Sequence, residues 1–221
     1  MNPYETDPAK IPATDLHAYG VIFSQCTPAN RMYDVEGWGD VFALGSVIVK
    51  SSHLSAAPPH RDHTWSDANE PVAIALASDA LREIGIRVPT IYFQGKINQR
   101  SIVIQARIPE VGLNVAWPYL AHTDKVSFKQ QARKIIKKLE GVPRPSTMDA
   151  TASSYVVPDP DPVRNRGSTE TVYDLLFGDR DDGKRLGFVH NDFDESNIIV
   201  QDGKIVGLID WEMAGIDGIT F

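Results

Sequence analysis

The hydrophobic positions of the chain change period several times, and each change marks an element. Phe42-Ala43-Leu44 and Val47-Ile48-Val49-Lys50 are short apolar runs around Gly45-Ser46, the pattern of two strands joined by a tight turn. From about Ala68 to Ile84, the residues Ala73, Leu76, Ala77, Ala80, Leu81 and Ile84 recur at helical spacing and predict an amphipathic helix. Asp67 and Glu70 have the spacing of a helix-start capping pattern, and Gly85 is the stop signal. After Val88-Pro89, Ile91-Tyr92-Phe93 and Ser101 to Gln105 read as the next strands. Phe128, Ala132, Ile135, Ile136 and Leu139 form the apolar stripe of a second helix. Glu140 to Arg166 is rich in proline and polar residues and reads as a long loop, followed by a short helix at Ser168 to Phe177 and a charged turn at Asp179 to Lys184. Ile198 to Val200 and Ile205 to Ile209 flank Gln201-Asp202-Gly203-Lys204, and an Asp-Gly pair between two apolar runs predicts a hairpin.

Composition removes several function classes. The 221 residues are 42% apolar and 23% charged, ordinary for a globular protein, and the net charge of -7 argues against a general nucleic-acid binder. Lys129, Arg133, Lys134, Lys137 and Lys138 cluster only as the solvated face of the second helix. No run approaches the roughly 18 apolar residues of a membrane span, and the N-terminus lacks a signal peptide's basic and apolar regions. One cysteine, Cys26, forms no internal disulfide, so a cytoplasmic location is the default expectation.

The candidate chemistry lies near the C-terminus. An apolar run ending at Val189 passes into the loop His190-Asn191-Asp192-Phe193-Asp194-Glu195-Ser196-Asn197, and Asp210-Trp211-Glu212 follows the second hairpin strand. The hairpin sets Asn197 and Asp210 side by side. Phosphoryl transfer needs charge neutralisation and positioning more than covalent chemistry, and such carboxylates and carboxamides supply both. Mg²⁺ takes oxygen ligands from one or two side chains, and Asn197 and Asp210 offer them. Asp192, five residues before Asn197, is placed to accept a proton from an attacking alcohol. Lys50 is the candidate for holding nucleotide phosphates, and Glu70 for pairing with it from the following helix. Taken singly, Lys50 is an ordinary strand-end lysine, Glu70 a helix-start acid and Asp192 a turn former. Their combination carries the chemical reading. A phosphate-cradling loop should be glycine-rich, and Glu36-Gly37-Trp38-Gly39-Asp40 offers only Gly-x-Gly.

These residues resemble the aminoglycoside phosphotransferase-like kinases, and most closely their fungal "phosphotransferase enzyme family" branch. The matching stretches are Val189-His190-Asn191-Asp192 through Asn197 and Leu208-Ile209-Asp210-Trp211-Glu212-Met213-Ala214-Gly215. Arg107-Ile108-Pro109-Glu110-Val111-Gly112-Leu113 and Tyr155-Val156-Val157-Pro158-Asp159-Pro160 look similar as well. The resemblance implies an α+β, two-lobed protein-kinase-like fold. An N-lobe at 1–104 would hold the sheet and the Glu70 helix, and 105–221 the hinge, catalytic loop and metal-binding hairpin. It implies Asp192 as base, His190 as a residue shaping the catalytic loop, Asn197 and Asp210 as metal ligands, and ATP with Mg²⁺ as cofactors. It also implies Gln105, Ala106, Arg107 and Ile108 as the hinge that meets the adenine.

In that family several helices follow the Asp-Trp-Glu segment, whereas here only Met213 to Phe221 remain. The expectation is therefore a C-terminally truncated chain whose hairpin exposes apolar surface, which predicts self-association, a missing partner or low stability. Three functions follow. The first is an ATP- and Mg²⁺-dependent kinase of a small hydroxylated molecule, with the acids around Asp192 and Asp210 favouring a cationic acceptor. The second is a catalytically inactive, kinase-shaped binding protein. The third, a metal-dependent hydrolase built on His190, Asp192 and Asp210, lacks histidine-rich metal spacing.

Overall fold

The computed structural model of the chain describes residues 11–12, 15–33, 40–51, 54, 64–98, 100–146, 154–156 and 186–218. The Gly-x-Gly of 36–39, the expected helix at 168–177 and the charged turn at 179–184 lie outside the described residues.

A five-stranded antiparallel sheet runs in the order β1-β2-β3-β5-β4, built from β1 (Arg31–Tyr33), β2 (Asp40–Leu44), β3 (Val47–Ser51), β4 (Ile91–Ile97) and β5 (Arg100–Ala106). Alternation divides its faces. Phe42, Leu44, Val47, Val49, Ile102 and Ile104 turn to one side and pack with Tyr19, Ile22 and Phe23 of helix α1 (Leu16–Ser24). Ile48 and Lys50 turn to the other. Helix α1 is capped by Asp15, which accepts the Ala18 N–H at 2.9 Å, and Cys26 is buried in the same core.

Helix α2 (Thr64–Arg82) begins earlier than its capping pattern suggests and passes through Pro71, which cannot donate the usual helical hydrogen bond. It ends at Arg82, so Ile84 falls outside it at 42% exposure. Ile86 takes the core position instead, its N–H bonding back to Leu81 O at 3.0 Å. The second core joins Ala73, Ala77 and Leu81 of α2 to Phe128, Ile135 and Leu139 of α4 (His122–Glu140), with the short helix α3 (Leu113–Ala116) contributing Leu113.

Strand β6 (Val111–Gly112) pairs with β9 (Ile198–Gln201), which pairs with β10 (Lys204–Leu208). The β9–β10 turn places Asp202 at φ 49° and Gly203 at φ 73°, the two positive values of the hairpin turn that matches strand twist. Gln131 of α4 clamps this turn, donating to Gly203 O at 3.0 Å and accepting from Ile205 N–H at 2.9 Å. A last sheet pairs β7 (Ser154–Tyr155), β11 (Gly215–Gly218) and β8 (Leu186–Val189) in the order β7-β11-β8.

The expected exposure of the hairpin is corrected by this packing. Ile198, Ile199, Val200, Ile205, Leu208 and Trp211 are buried, while Val206 and Ile209 are partly so; the buried side chains except Ile199 share one core with α2 and α4, and β6 pairs along β9. No helix among the described residues is long and apolar enough to cross a membrane. Leu208 is fully buried at the centre of the second core. Leu208→Ala should lower unfolding free energy in urea by about 2–5 kcal/mol, and a loss below about 1 kcal/mol would show that this core collapses around the deletion.

Candidate active site

Lys50 projects from β3 on the face opposite α1. Its Nζ lies 2.8 Å from both carboxylate oxygens of Glu70 on α2 and 2.7 Å from Asp210 Oδ1, just beyond β10. Glu70 is almost fully buried, while Asp210 stays partly open to solvent. Burial works against the charge on Lys50. The carboxylates of Asp210, Glu70 and Glu212 outweigh it and hold the ammonium's pKa above its ordinary value. The same ammonium, against the pull of burial, holds the Asp210 carboxyl below the usual range.

Asp210 sits at φ 66° and Asn191 at φ 61°. Left-handed backbone is unfavourable for most side chains, and Asp and Asn tolerate it best. The loop between β8 and β9 is braced around these residues. Asn197 Nδ2 donates to Asp192 Oδ2 at 2.8 Å and to Asp192 O at 2.9 Å. Ser196 N–H and Oγ both donate to Asp194 Oδ1, at 2.7 and 2.5 Å. Asn191 Nδ2 reaches Met213 O at 3.1 Å. Ile209 N–H donates to Asn197 O at 3.0 Å, which sets Asn197 beside the residue preceding Asp210. Burial pushes the Asp192 carboxyl up, the Asn197 hydrogen bond opposes this, and Asp194 and Asp210 add to the rise.

With both hydrogens of the Asn197 amide directed to Asp192, its Oδ1 has, among the described residues, only a 3.5 Å contact from Ser196 Oγ. A carboxamide oxygen and the Asp210 carboxylate are hard donors of the kind Mg²⁺ prefers, so these two side chains fit that ion. Among the described residues, no three His, Cys, Asp or Glu side chains converge as a metal cluster.

His190 is buried under the loop. Its Nε2 lies 3.0 Å from Ile209 O, which only accepts, so this nitrogen carries the proton. The ring packs edge-on to Trp211 at 4.5 Å and Phe193 at 6.2 Å. Burial lowers its pKa to about 4, so a neutral imidazole ties the end of β8 to the end of β10.

In the segment expected as the hinge, Ala106 N–H bonds Thr90 O and Arg107 N–H bonds Ser46 O, both at 2.8 Å. The Ile108 side chain lies so close over Gly207 of β10 that a Cβ there would fall 2.9 Å from Ile108 Cδ1 and 3.3 Å from Ile199 Cβ. The sequence reading missed Asn69. Its amide donates to Glu212 O and Ala214 O, each at 2.9 Å, and its adjacency to Glu70 was the available signal.

The phosphotransferase enzyme family matches the chain over residues 73–221. Among solved structures, the ternary complex of streptomycin, ATP and APH(2")-IIa is 16% identical with a TM-score of 0.59, over 94% of this chain and 73% of that one. The ADP-bound aminoglycoside phosphotransferase APH(2'')-Ib is 16% identical with a TM-score of 0.56, over 92% and 72%. The macrolide 2'-phosphotransferase MphH from Brachybacterium faecium is 14% identical with a TM-score of 0.50, over 84% and 65%. At these identities the likeness is one of fold: an antiparallel-sheet lobe and a partly helical lobe in a kinase-like arrangement. No curated protein matches the chain.

Two measurements probe this geometry. Between pH 6.5 and a folded pKa of about 4, the unfolded chain takes up a proton that folded His190 refuses. Stability is then complete above pH 6.5 and falls as pH drops toward 4, by on the order of 3 kcal/mol at about 1.4 kcal/mol per unit. His190→Gln, which keeps a donor for Ile209 O, should flatten that limb in urea titrations. Equal slopes in the two proteins would contradict a buried neutral imidazole. Gly207→Ala should cost about 1–3 kcal/mol by overpacking, and trimming the neighbour in Gly207→Ala/Ile108→Val should recover part of it.

Proposed function

The chain belongs to the phosphotransferase enzyme family, and from that we propose an ATP- and Mg²⁺-dependent kinase that phosphorylates a hydroxyl of a small molecule. One observation carries the proposal: Lys50 bridges Glu70 and Asp210 beside the braced Asp192–Asn197 pair. In this reading residues 1–104 form the N-lobe and 105–221 the hinge and C-lobe.

Lys50 binds nucleotide phosphate oxygens, with Glu70 holding the ammonium at the right depth. Gln105, Ala106, Arg107 and Ile108 form the hinge against the base. The N–H groups of Ala106 and Arg107 are already bonded within the protein, so neither is offered to the base. Asn197 and Asp210 would hold Mg²⁺, which when bound neutralises charge on the transferring phosphoryl group. Asp192 orients the acceptor hydroxyl and takes its proton as the oxygen attacks. Burial and the neighbouring acids raise its pKa toward that task. The Asn197 amide holds the carboxylate in place through Oδ2. His190, neutral and buried, acts on the loop's shape and moves no proton. The carboxylates of Asp192, Asp194, Glu195, Asp210 and Glu212 give the acceptor side a negative field, and an amine-bearing acceptor fits it best. The fold neighbour APH(2")-IIa is described with streptomycin and ATP, which agrees with that class.

The alternative is a kinase-shaped binding protein without turnover, favoured by the sparse glycine of 36–39. Thermal stability with and without millimolar MgATP, run beside Asp210→Ala, separates the readings from no binding at all. Stabilisation that vanishes in the variant is the expected result. Asp192→Ala should then lower kcat by about 10²–10⁴-fold while nucleotide binding changes little. MgATP binding without ATP consumption across a panel of amino sugars and amino alcohols would select the alternative, and no thermal shift at all would remove the nucleotide site.

A further inference from the structure

Residues 69 and 70 stand side by side on α2, yet their side chains serve different parts of the molecule. Glu70 reaches Lys50. Asn69, fully buried, directs its amide to two main-chain carbonyls of the segment that leaves Asp210, Glu212 O and Ala214 O, both at 2.9 Å. An amide NH₂ has two hydrogens at a fixed angle, so two acceptors at this distance locate both partners. Asn191 supplies a third carboxamide contact, to Met213 O at 3.1 Å. Three successive carbonyls, of residues 212, 213 and 214, are therefore held by side-chain amides. The segment is also short and constrained. It starts at the left-handed Asp210, bonds Ala214 N–H to Trp211 O at 3.1 Å, and is anchored by Trp211 Nε1 to Leu208 O at 3.0 Å.

We propose that Asn69 is a positioning residue for the metal ligand Asp210, acting through the Glu212–Ala214 backbone to aim its carboxylate at a divalent cation. The inference rests on the kinase reading above. It gives α2 two distinct roles in adjacent residues: Glu70 sets the lysine that meets phosphate, and Asn69 sets the carboxylate that meets metal. The physical reason is leverage at a strained turn. The residues after the left-handed Asp210 are pinned, and a turn released from Asn69 relaxes toward the ordinary regions of backbone space.

The two roles are separable by binding. The full-length chain is titrated with AMP-PNP across a range of Mg²⁺ concentrations and again in EDTA, for the wild type, Asn69→Leu and Asn69→Ser. Leu removes both donors at similar volume, and Ser keeps one shorter donor. The Mg²⁺ concentration for half-maximal AMP-PNP binding should rise about tenfold in Asn69→Leu and less in Asn69→Ser. Affinity for AMP-PNP in EDTA should stay within about twofold of wild type. Glu70→Gln should instead weaken binding under both conditions. A Mg²⁺ requirement unchanged in a folded Asn69 variant, or equal weakening with and without Mg²⁺, overturns the inference. If Asn69→Leu fails to fold, Asn69→Ser decides by the same criteria, and failure of both assigns the amide to fold stability alone and overturns it. Wild-type protein that binds no AMP-PNP with Mg²⁺ removes the kinase reading and this inference together, whereas normal wild-type binding with insensitive variants removes only the inference.

Discussion

The ammonium of Lys50 between the carboxylates of Glu70 and Asp210 is the contact on which the site depends. An unpartnered charge at this depth costs several kcal/mol, and removing one member of a buried pair strands the other. Two acids with short contacts compensate the cation, and in doing so they tie together elements 20 and 160 residues apart along the chain. Strand β3, helix α2 and the end of β10 cannot shift independently while that charge stays neutralised. Specific geometry follows from electrostatics here more than from apolar packing, which tolerates small displacements.

Helix α2 is the frame that makes this possible. Near its start, Asn69 and Glu70 hold the two sides of the site. Beyond its end, Arg87 N–H bonds Val206 O and Leu208 N–H bonds Arg87 O, both at 2.9 Å, so the connection to β4 adds a parallel bridge to β10. The connection that follows the helix is thus bonded twice to the strand that leads into Asp210. The opposite side of the hairpin is fixed by Gln131 at its turn and by β6 along its edge. A polar constellation held by second contacts of this kind loses little freedom when a substrate arrives, which is how positioning contributes to rate.

Much of the fold was legible because local rules and tertiary packing agree. Asp202-Gly203 demanded a particular turn wherever it lay, and the apolar runs beside it have no alternative but pairing. The spacing from Asp192 to Asn197 and the strand length to Asp210 set those groups near one another once the hairpin formed. The boundaries of α2 were less legible. Pro71 and the Asp67–Glu70 pattern both suggest a later start, and the helix that forms runs from Thr64, with Ile86 rather than Ile84 completing its core contact. Burial of the hairpin was not legible for a related reason: β6 pairs with β9 and the segment at Arg87 bonds β10 from distant sequence, and no local pattern announces such cover.

The sequence by itself determined the chemical inventory and its local spacing: which oxygens and which ammonium exist, the turn that pairs β9 with β10, and the Asn and Asp residues able to hold left-handed backbone at 191 and 210. Tertiary structure alone decided what each group touches. Lys50 meets Asp210 as well as Glu70, and Asn69 reaches the carbonyls beyond Asp210. The physical reason is that spacing constrains neighbours within a turn or hairpin. Contacts across 140 residues or more depend on how whole elements pack, and that is fixed only by the sum of buried apolar surface and paired charge.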